Sequence, residues 1–247
     1  MLNKIISKTL IAFLLLIPIS AFTNGHTQYS IFLIPDKNAE TYIKNFNNYA
    51  AKQGVYEKYN ITPFIQQYPV SLNLYTTSFK RFYLESIVQL VKRIANTTEE
   101  FDISADQITI SEDGFVTLNI GNDHDLQGLS NIIIRNLAKD RYKDSNMPSW
   151  IKFHPAKQKL FNEYGTSNAF DQFEPNINIS TININDQSIK QMIEDDFDKT
   201  IQSFNQKSLS FKIIGIGFGY ADDNGQVAEV IKKYNFKDTK NYSFEKS

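Results

Sequence analysis

The chain has 247 residues, of which 41% are hydrophobic and 21% charged, and this composition is typical of a globular protein with a sizeable core. Its 26 basic and 27 acidic residues are nearly balanced, which excludes the broad phosphate-neutralising surface of a general nucleic-acid binder. The absence of cysteine excludes disulfides, thiolate metal sites and lipid attachment through a thiol.

The first segment, residues 1–25, is predicted to be a secretory signal peptide. Lys4 and Lys8 precede the apolar run TLIAFLLLIPISAF, and small and polar residues follow it, as in a basic, a hydrophobic and a cleavage region. An uncleaved anchor is disfavoured because the run is shorter than the roughly 20 residues of a spanning helix and contains Pro18. We therefore expect export to a bacterial periplasm or to the medium, with a single domain at 26–247 and no membrane partner after cleavage.

The spacing of apolar residues predicts the secondary structure of the mature chain. The predicted elements are a strand at 28–35, a helix at 38–52, a strand at 68–76, a helix at 78–94, a hairpin at 101–120, a helix at 125–141, a short helix ending at Gly165, a turn and strand within 168–180, a helix at 188–204, a strand at 209–220 and, after a DDNG turn, a last helix ending near Tyr234. No low-complexity linker interrupts this order, so we expect its two halves to share one interface.

Two of the predicted strands carry polar side chains on one face, because residues i and i+2 of a strand point to the same side of a sheet. The first strand is predicted to present Ser71, Asn73 and Tyr75 on one face and Val70, Leu72 and Leu74 on the other. The second is predicted to present Asn176, Asn178 and Ser180 outward, with Ile177 and Ile179 in the core. The alternation slips at Ser180-Thr181, which predicts a bulge or the end of the strand.

The segments around these strands resemble the two signature regions of the 2H phosphoesterases, the superfamily of 2′-5′ RNA ligase-like proteins and cyclic phosphodiesterases. YGTSNAFDQFEPNINIS resembles the tyrosine-glycine turn and the aromatic-acidic-proline step that lead into a His-x-Thr-x strand, and YPVSLNLYTTSF resembles the other signature. Ser71 and Asn176 stand at the two histidine positions, and Asn73 and Asn178 at the two threonine positions. DGFVTLNI, MPSWIKF and GIGFGYADDNGQV also follow the family's order, so the resemblance covers nearly all of residues 28–235.

The resemblance implies an α+β fold of two lobes, with two antiparallel-rich sheets facing a central cleft and helices outside. It also implies the making or breaking of phosphodiester bonds, typically 2′,3′-cyclic phosphates or 2′-5′ linkages. In the family, one histidine takes a proton from the nucleophile and the other gives one to the leaving oxygen, while the threonine hydroxyls hold phosphate oxygens. We expect no cofactor, and no His-x-x-x-His pair or carboxylate cluster in the sequence indicates a metal site.

Both signatures are degenerate in this chain, so we expect the catalytic activity to be lost. The chemistry needs groups that titrate at about pH 7, which neither a serine hydroxyl nor an asparagine amide does. Amides and hydroxyls can still donate hydrogen bonds to a phosphate, so binding of a nucleotide, a phosphorylated small molecule or a protein could outlast catalysis. The candidate ligand-binding residues are Ser71, Asn73, Tyr75, Tyr164, Asn176 and Asn178.

Three alternatives stay open at the level of sequence. One is an active phosphodiesterase in which His154, Tyr75 or Tyr164 replaces the missing histidines. Another is a structural or interaction protein that kept the fold and lost the ligand. The third takes the asparagines as the ordinary polar face of a half-buried strand.

Overall fold

A computed structural model of the protein describes residues 27–121, 123–143, 147–184, 186–204 and 209–238. The predicted signal peptide at 1–25 lies outside these residues. No helix in the described part of the chain is both long and apolar enough to cross a membrane.

The described residues form seven strands and six α-helices. The strands are β1 (Gln28–Pro35), β2 (Leu72–Ser78), β3 (Phe101–Ile110), β4 (Phe115–Ile120), β5 (Asn176–Thr181), β6 (Leu209–Ala221) and β7 (Val227–Asn235). The α-helices are α1 (Lys37–Lys52), α2 (Val55–Tyr59), α3 (Leu84–Thr97), α4 (His124–Leu137), α5 (Pro155–Tyr164) and α6 (Gln187–Ser203). Every element predicted up to residue 220 is present, with ends that differ by a few residues, and the short α2 is additional.

The last predicted helix is wrong, because residues Val227–Asn235 form β7, which pairs antiparallel with β6. Gly225, at φ +72°, reverses the chain before this strand. Two glycines of β6 then let the β7 backbone approach closely. A Cβ atom at Gly215 would lie 2.6 Å from the carbonyl oxygen of Tyr234, and one at Gly219 would lie 2.4 Å from that of Glu229. Close packing at the GIGFG glycines is thus confirmed, since no larger residue fits there.

All strand pairs are antiparallel, and the strand order is β2-β1-β6-β3-β4-β5, with β7 also paired to β6. The α+β class with antiparallel strands is therefore confirmed. The two expected sheets are the two halves of one continuous sheet, because β6 is 13 residues long and pairs with strands of both halves. The outermost strands β2 and β5 contact each other, so the sheet curves until its two motif strands meet.

Helix ends follow local sequence signals. The side-chain oxygens of Asp36, Asp123 and Asp186 accept backbone N–H groups in the first turns of α1, α4 and α6, and such caps are worth about 1 kcal/mol each. Helix α5 ends at Gly165 as predicted, since this glycine adopts the left-handed conformation at φ +76°. The apolar sides of the helices cover the sheet, with Phe46 and Phe197 fully buried.

Candidate functional site

A bulge inside the first motif of β2 changes the face of the sheet to which the following side chains point. In the pairing of β1 with β2, Ile31 lies opposite Tyr75 and Phe32 lies opposite Asn73, so Leu74 is the extra residue of a bulge. Because Ile31 and Phe32 are neighbours on one strand, they point to opposite faces. The shared face predicted for Asn73 and Tyr75 is therefore wrong, and Tyr75 turns away from the motif face.

Tyr75 lies in the core and forms part of the junction between β2 and α5. Its ring packs edge-on against Phe79 at 5.6 Å, and its hydroxyl donates a hydrogen bond to the carbonyl oxygen of Tyr164 at 2.6 Å. Burial raises the pKa of the Tyr75 phenol well above its ordinary value. The Tyr164 ring packs against Phe170 at 4.7 Å, and its pKa is raised chiefly by a hydrogen bond with Glu163.

Asn73 does point to the motif face, where its amide forms hydrogen bonds with other residues of the chain. The Oδ1 atom accepts a hydrogen bond from the Ser30 hydroxyl at 3.1 Å, and Nδ2 donates one to the carbonyl oxygen of Gly225 at 2.8 Å. The Thr76 hydroxyl donates to Ser30 at 2.9 Å. The residue at the first threonine position thus ties β1 and β2 to the turn that precedes β7.

Asn176 and Asn178 share one face of β5, as predicted, and lie opposite Asn119 and Thr117 of β4. Asn176 donates a hydrogen bond to the carbonyl oxygen of Glu174 at 3.2 Å. The register shifts between Asn178 and Ser180, so the bulge predicted from the slipped alternation is present one residue earlier.

A row of polar side chains continues this face across β4 and β3. The Thr117 hydroxyl donates to Asn119 Oδ1 at 3.0 Å, and Asn119 Nδ2 donates to the Thr109 hydroxyl at 3.0 Å. Within the described part of the chain no side-chain hydrogen bond forms on the Asn178 amide. This amide is thus one of the motif groups that could bind a ligand.

Ser71 and Asn178, one from each motif, line the same small cavity. The other lining residues are Ile43, Phe64, Ile65, Tyr68, Pro69, Val70 and Gln226. The cavity volume is about 10 Å³, which is the room needed by one water molecule. The structure therefore brings the two motif strands together, but leaves no space for a phosphate between Ser71 and Asn178.

Two segments, residues 63–70 and 222–226, fill the space between the motif strands, and we call them the cover. Phe64 is buried, with its ring 6.2 Å from Phe115 of the second half and 5.5 Å from Tyr68. The Tyr68 hydroxyl donates a hydrogen bond to Asp222 Oδ2 at 2.8 Å. Asp222 Oδ1 accepts the backbone N–H of Gln226 at 2.7 Å. Burial, followed by the hydrogen bond with Asp222, raises the pKa of Tyr68 to about 12.

The described histidines stand away from this cavity. His154 Nε2 lies 3.2 Å from Glu112 Oε2, and His154 is not among the residues that line the cavity. His124 is fully exposed at the start of α4. Among the described residues no three His, Asp or Glu side chains are grouped so that they could hold a metal ion.

Solved structures with the same arrangement of strands and helices supply the comparison. TT0787 of Thermus thermophilus matches with a TM-score of 0.50 at 10% identity, over 86% of this chain and 99% of that chain. The chain has the 2H phosphoesterase fold. Usb1 of Kluyveromyces marxianus matches with a TM-score of 0.48 at 10% identity, over 86% of this chain and 99% of that chain. E. coli LigT complexed with ATP matches with a TM-score of 0.45 at 10% identity, over 85% of this chain and 98% of that chain. No protein-family model and no curated protein matches the chain.

At 10% identity the likeness establishes the 2H fold alone, so the site must be judged from its own residues. Sequence reasoning singled out four motif positions, which stay a prediction, and missed the cover with its contacts between Tyr68, Asp222 and Gln226. The available signal was the pair Pro63 and Pro69, since two prolines so close together exclude a regular helix between them. Nothing in the sequence indicated where that irregular segment would lie.

Proposed function

We propose that this chain is an exported 2H-fold protein that has lost phosphodiesterase chemistry and acts by binding. One observation carries the proposal: Ser71 and Asn178 meet across a cavity of about 10 Å³ that the chain's own cover fills. Neither motif offers a group that exchanges protons at about pH 7. The absence of each general acid or base typically lowers the rate by about 10²- to 10⁴-fold.

The neighbouring tyrosines do not supply the missing chemistry. Tyr75 points into the core with its hydroxyl on a backbone carbonyl, and its raised pKa keeps the phenol protonated. Tyr68 is bound to Asp222 and its pKa is likewise raised. His154 pairs with Glu112 outside the cavity, so the alternative of a rearranged active site has little support in the geometry.

We propose a nucleotide or another phosphorylated small molecule as the ligand class of the cleft. The Asn178 amide and the Ser71 hydroxyl would donate to phosphate oxygens, with Asn176 further along the same strand face. The cover must move before such a ligand enters, and the apparent affinity falls by the fraction of molecules in which it is open. A protein partner, in contrast, could bind the outer surface while the cover stays closed.

Export is supported by the basic and apolar order of residues 1–25 and by the lack of cysteine. Fractionation of expressing cells and N-terminal sequencing of the product test it. We expect a product in the periplasm or the medium that begins between Phe22 and His26. An uncleaved chain in the membrane fraction would contradict the proposal.

Assays of residues 26–247 against 2′,3′-cyclic nucleotides and 2′-5′ dinucleotides test the loss of catalysis. We expect no turnover above that of a matched Ser71→Ala, Asn176→Ala variant. Turnover that His154→Ala abolishes would establish the rearranged active site instead. Calorimetric titration with the same compounds tests binding. Heat that Asn178→Ala removes supports the cleft ligand, and its absence in a folded sample favours the interaction protein without a ligand.

A further inference from the structure

The turn that follows β2 carries a strongly exposed aromatic side chain. Phe82 lies in the 3₁₀ turn Arg81–Tyr83 and is 89% exposed. Its one ring contact is with its neighbour Tyr83, edge-on at 5.3 Å, and Tyr83 is itself partly buried against the core. An exposed ring is not unusual by itself, so the side chains around Phe82 decide what it could bind.

Cations surround this ring. Lys80 and Arg81 precede it and are exposed. The Lys80 backbone N–H donates to the carbonyl oxygen of Asp140 at 3.1 Å, so the exposed Lys139 and Lys143 belong to the adjacent segment. We call Lys80, Arg81, Phe82, Lys139 and Lys143 the Phe82 patch.

The charges of the Phe82 patch are not neutralised within the described part of the chain. None of its four cations forms an ion pair there. Two carboxylates belong to the same segments, the buried Asp140 and the exposed Glu85, so four cations stand against two acids. The patch therefore combines an apolar tip with a local positive charge. Without Lys4, Lys8 and the four cations of the patch, the 26 basic residues of the chain become 20 against 27 acidic ones, so the rest of the chain is acidic.

We propose that the Phe82 patch binds the surface of an anionic phospholipid membrane. Phe82 would enter the interfacial region, where aromatic rings are favoured, and the four cations would face the lipid phosphates. Either signal alone gives only weak attachment, so we expect reversible binding that needs both the apolar ring and the basic cluster. This proposal revises the expectation that the protein has no membrane partner after signal cleavage. That expectation rested only on the apolar N-terminal segment.

The same features fit other partners less well. A specific protein interface buries about 800 Å² on each partner around an apolar core, and here one ring stands alone among charges. Single-stranded nucleic acid needs successive stacking platforms along a basic groove, and Tyr83 is too buried to serve as a second one. A long polyanion would also extend over the acidic surface outside the patch, which would repel it, whereas a membrane would contact the patch alone.

Co-sedimentation of residues 26–247, which contain the whole described fold, with lipid vesicles tests the proposal. We expect binding to phosphatidylcholine vesicles that contain phosphatidylglycerol, weaker binding as salt rises, and none to pure phosphatidylcholine. Phe82→Ser should weaken binding about tenfold, and Lys80→Glu with Arg81→Glu by about tenfold or more. These side chains are exposed, and circular dichroism will verify that the variants are folded.

Matched controls make the proposal falsifiable. Phe153 is also exposed, at 83%, on another 3₁₀ turn. It lies outside the Phe82 patch, so Phe153→Ser should leave vesicle binding unchanged if the patch, and not any exposed ring, binds the membrane. Lys232→Glu with Lys233→Glu makes the same charge change on the exposed edge strand β7 and should have a much smaller effect. Equal losses in the controls, or no binding to anionic vesicles at low salt, would overturn the proposal. So would patch-dependent binding of a single-stranded oligonucleotide without vesicle binding, which would make nucleic acid the partner.

Discussion

Tyr68 and Asp222, 154 residues apart in the sequence, are joined by a 2.8 Å hydrogen bond that closes the space between the two motif strands. Each lies in a different segment of the cover, so this bond holds the two segments to each other. The same turn is bound from the other side by Asn73, through the carbonyl oxygen of Gly225. The asparagine at the first threonine position therefore binds the turn of the cover directly.

Replacing Tyr68 by Phe should loosen the cover without damaging the core. The loss of one hydrogen bond to a carboxylate should lower the free energy of unfolding by about 1 to 2 kcal/mol. Amide hydrogen exchange at residues 63–70 should become faster. Tyr59→Phe is the matched control, because the Tyr59 hydroxyl donates to Asp196 at the same distance of 2.8 Å and Tyr59 does not line the cavity. If exchange at 63–70 accelerates equally in both variants, the bond to Asp222 does not hold the cover.

Restoring the signatures should not by itself restore catalysis. A variant with Ser71→His, Asn73→Thr, Asn176→His and Asn178→Thr regains the imidazoles but keeps most of the cover in place. We expect turnover of 2′,3′-cyclic nucleotides to appear only when Tyr68→Phe is added. Substantial turnover of the first variant alone would show that the missing histidines, and not the cover, are the sole barrier.

Replacing Gly165 by Ala should destabilise the protein. The new Cβ would lie 2.7 Å from both Arg141 Cδ and Thr77 Oγ1, and φ is +76° there. The left-handed conformation alone costs about 1 to 2 kcal/mol in the free energy of unfolding. Arg141 is buried and donates to the carbonyl oxygen of Asn162 at 2.7 Å, so its displacement also removes a cap of α5.

Gly128→Ala, in α4, is the control for this substitution. No atom lies within 4 Å of the added Cβ there, and a helical Gly→Ala change should stabilise by about 0.5 to 1 kcal/mol. Urea unfolding of both variants should therefore give shifts of opposite sign. A shift of the same sign at both positions would contradict the crowding inferred at Gly165.

The link between α2 and α6 should respond to acid. Hydrogen bonds from Lys58 and Tyr59 lower the pKa of Asp196 to about 2. A carboxyl group whose pKa is depressed by folding stabilises the folded state above its unfolded pKa of about 4, and that contribution disappears as the pH falls to about 2. The difference in urea midpoint between the wild type and Asp196→Asn should thus be largest at about pH 6 and shrink through this window. A difference that stays constant down to about pH 2 would exclude the charge of Asp196 as its cause.

The sequence predicted what depends on local alternation and missed what depends on distant partners. Asn176 and Asn178 were placed on one face correctly because period two holds between them. Tyr75 was misplaced because the bulge at Leu74 exists only in the pairing with β1. The fold class could be predicted because most elements have clear periodicity, whereas contacts of the cover carry no local pattern.

The error over β7 has a similar cause. Val227, Val230, Ile231 and Tyr234 recur at helical spacing, which favours a helix in isolation. The strand forms because Gly215 and Gly219 of β6 admit its backbone, and those glycines lie in another part of the sequence. The DDNG turn was predicted correctly, but a turn does not specify the element that follows it.

The length of β6 has a mechanical consequence. One continuous strand pairs with strands of both halves of the sheet. The two halves therefore cannot separate as rigid bodies unless backbone hydrogen bonds of β6 break. A ligand can then reach the interior only when loops move while the sheet stays intact. The sheet itself should unfold in one cooperative transition.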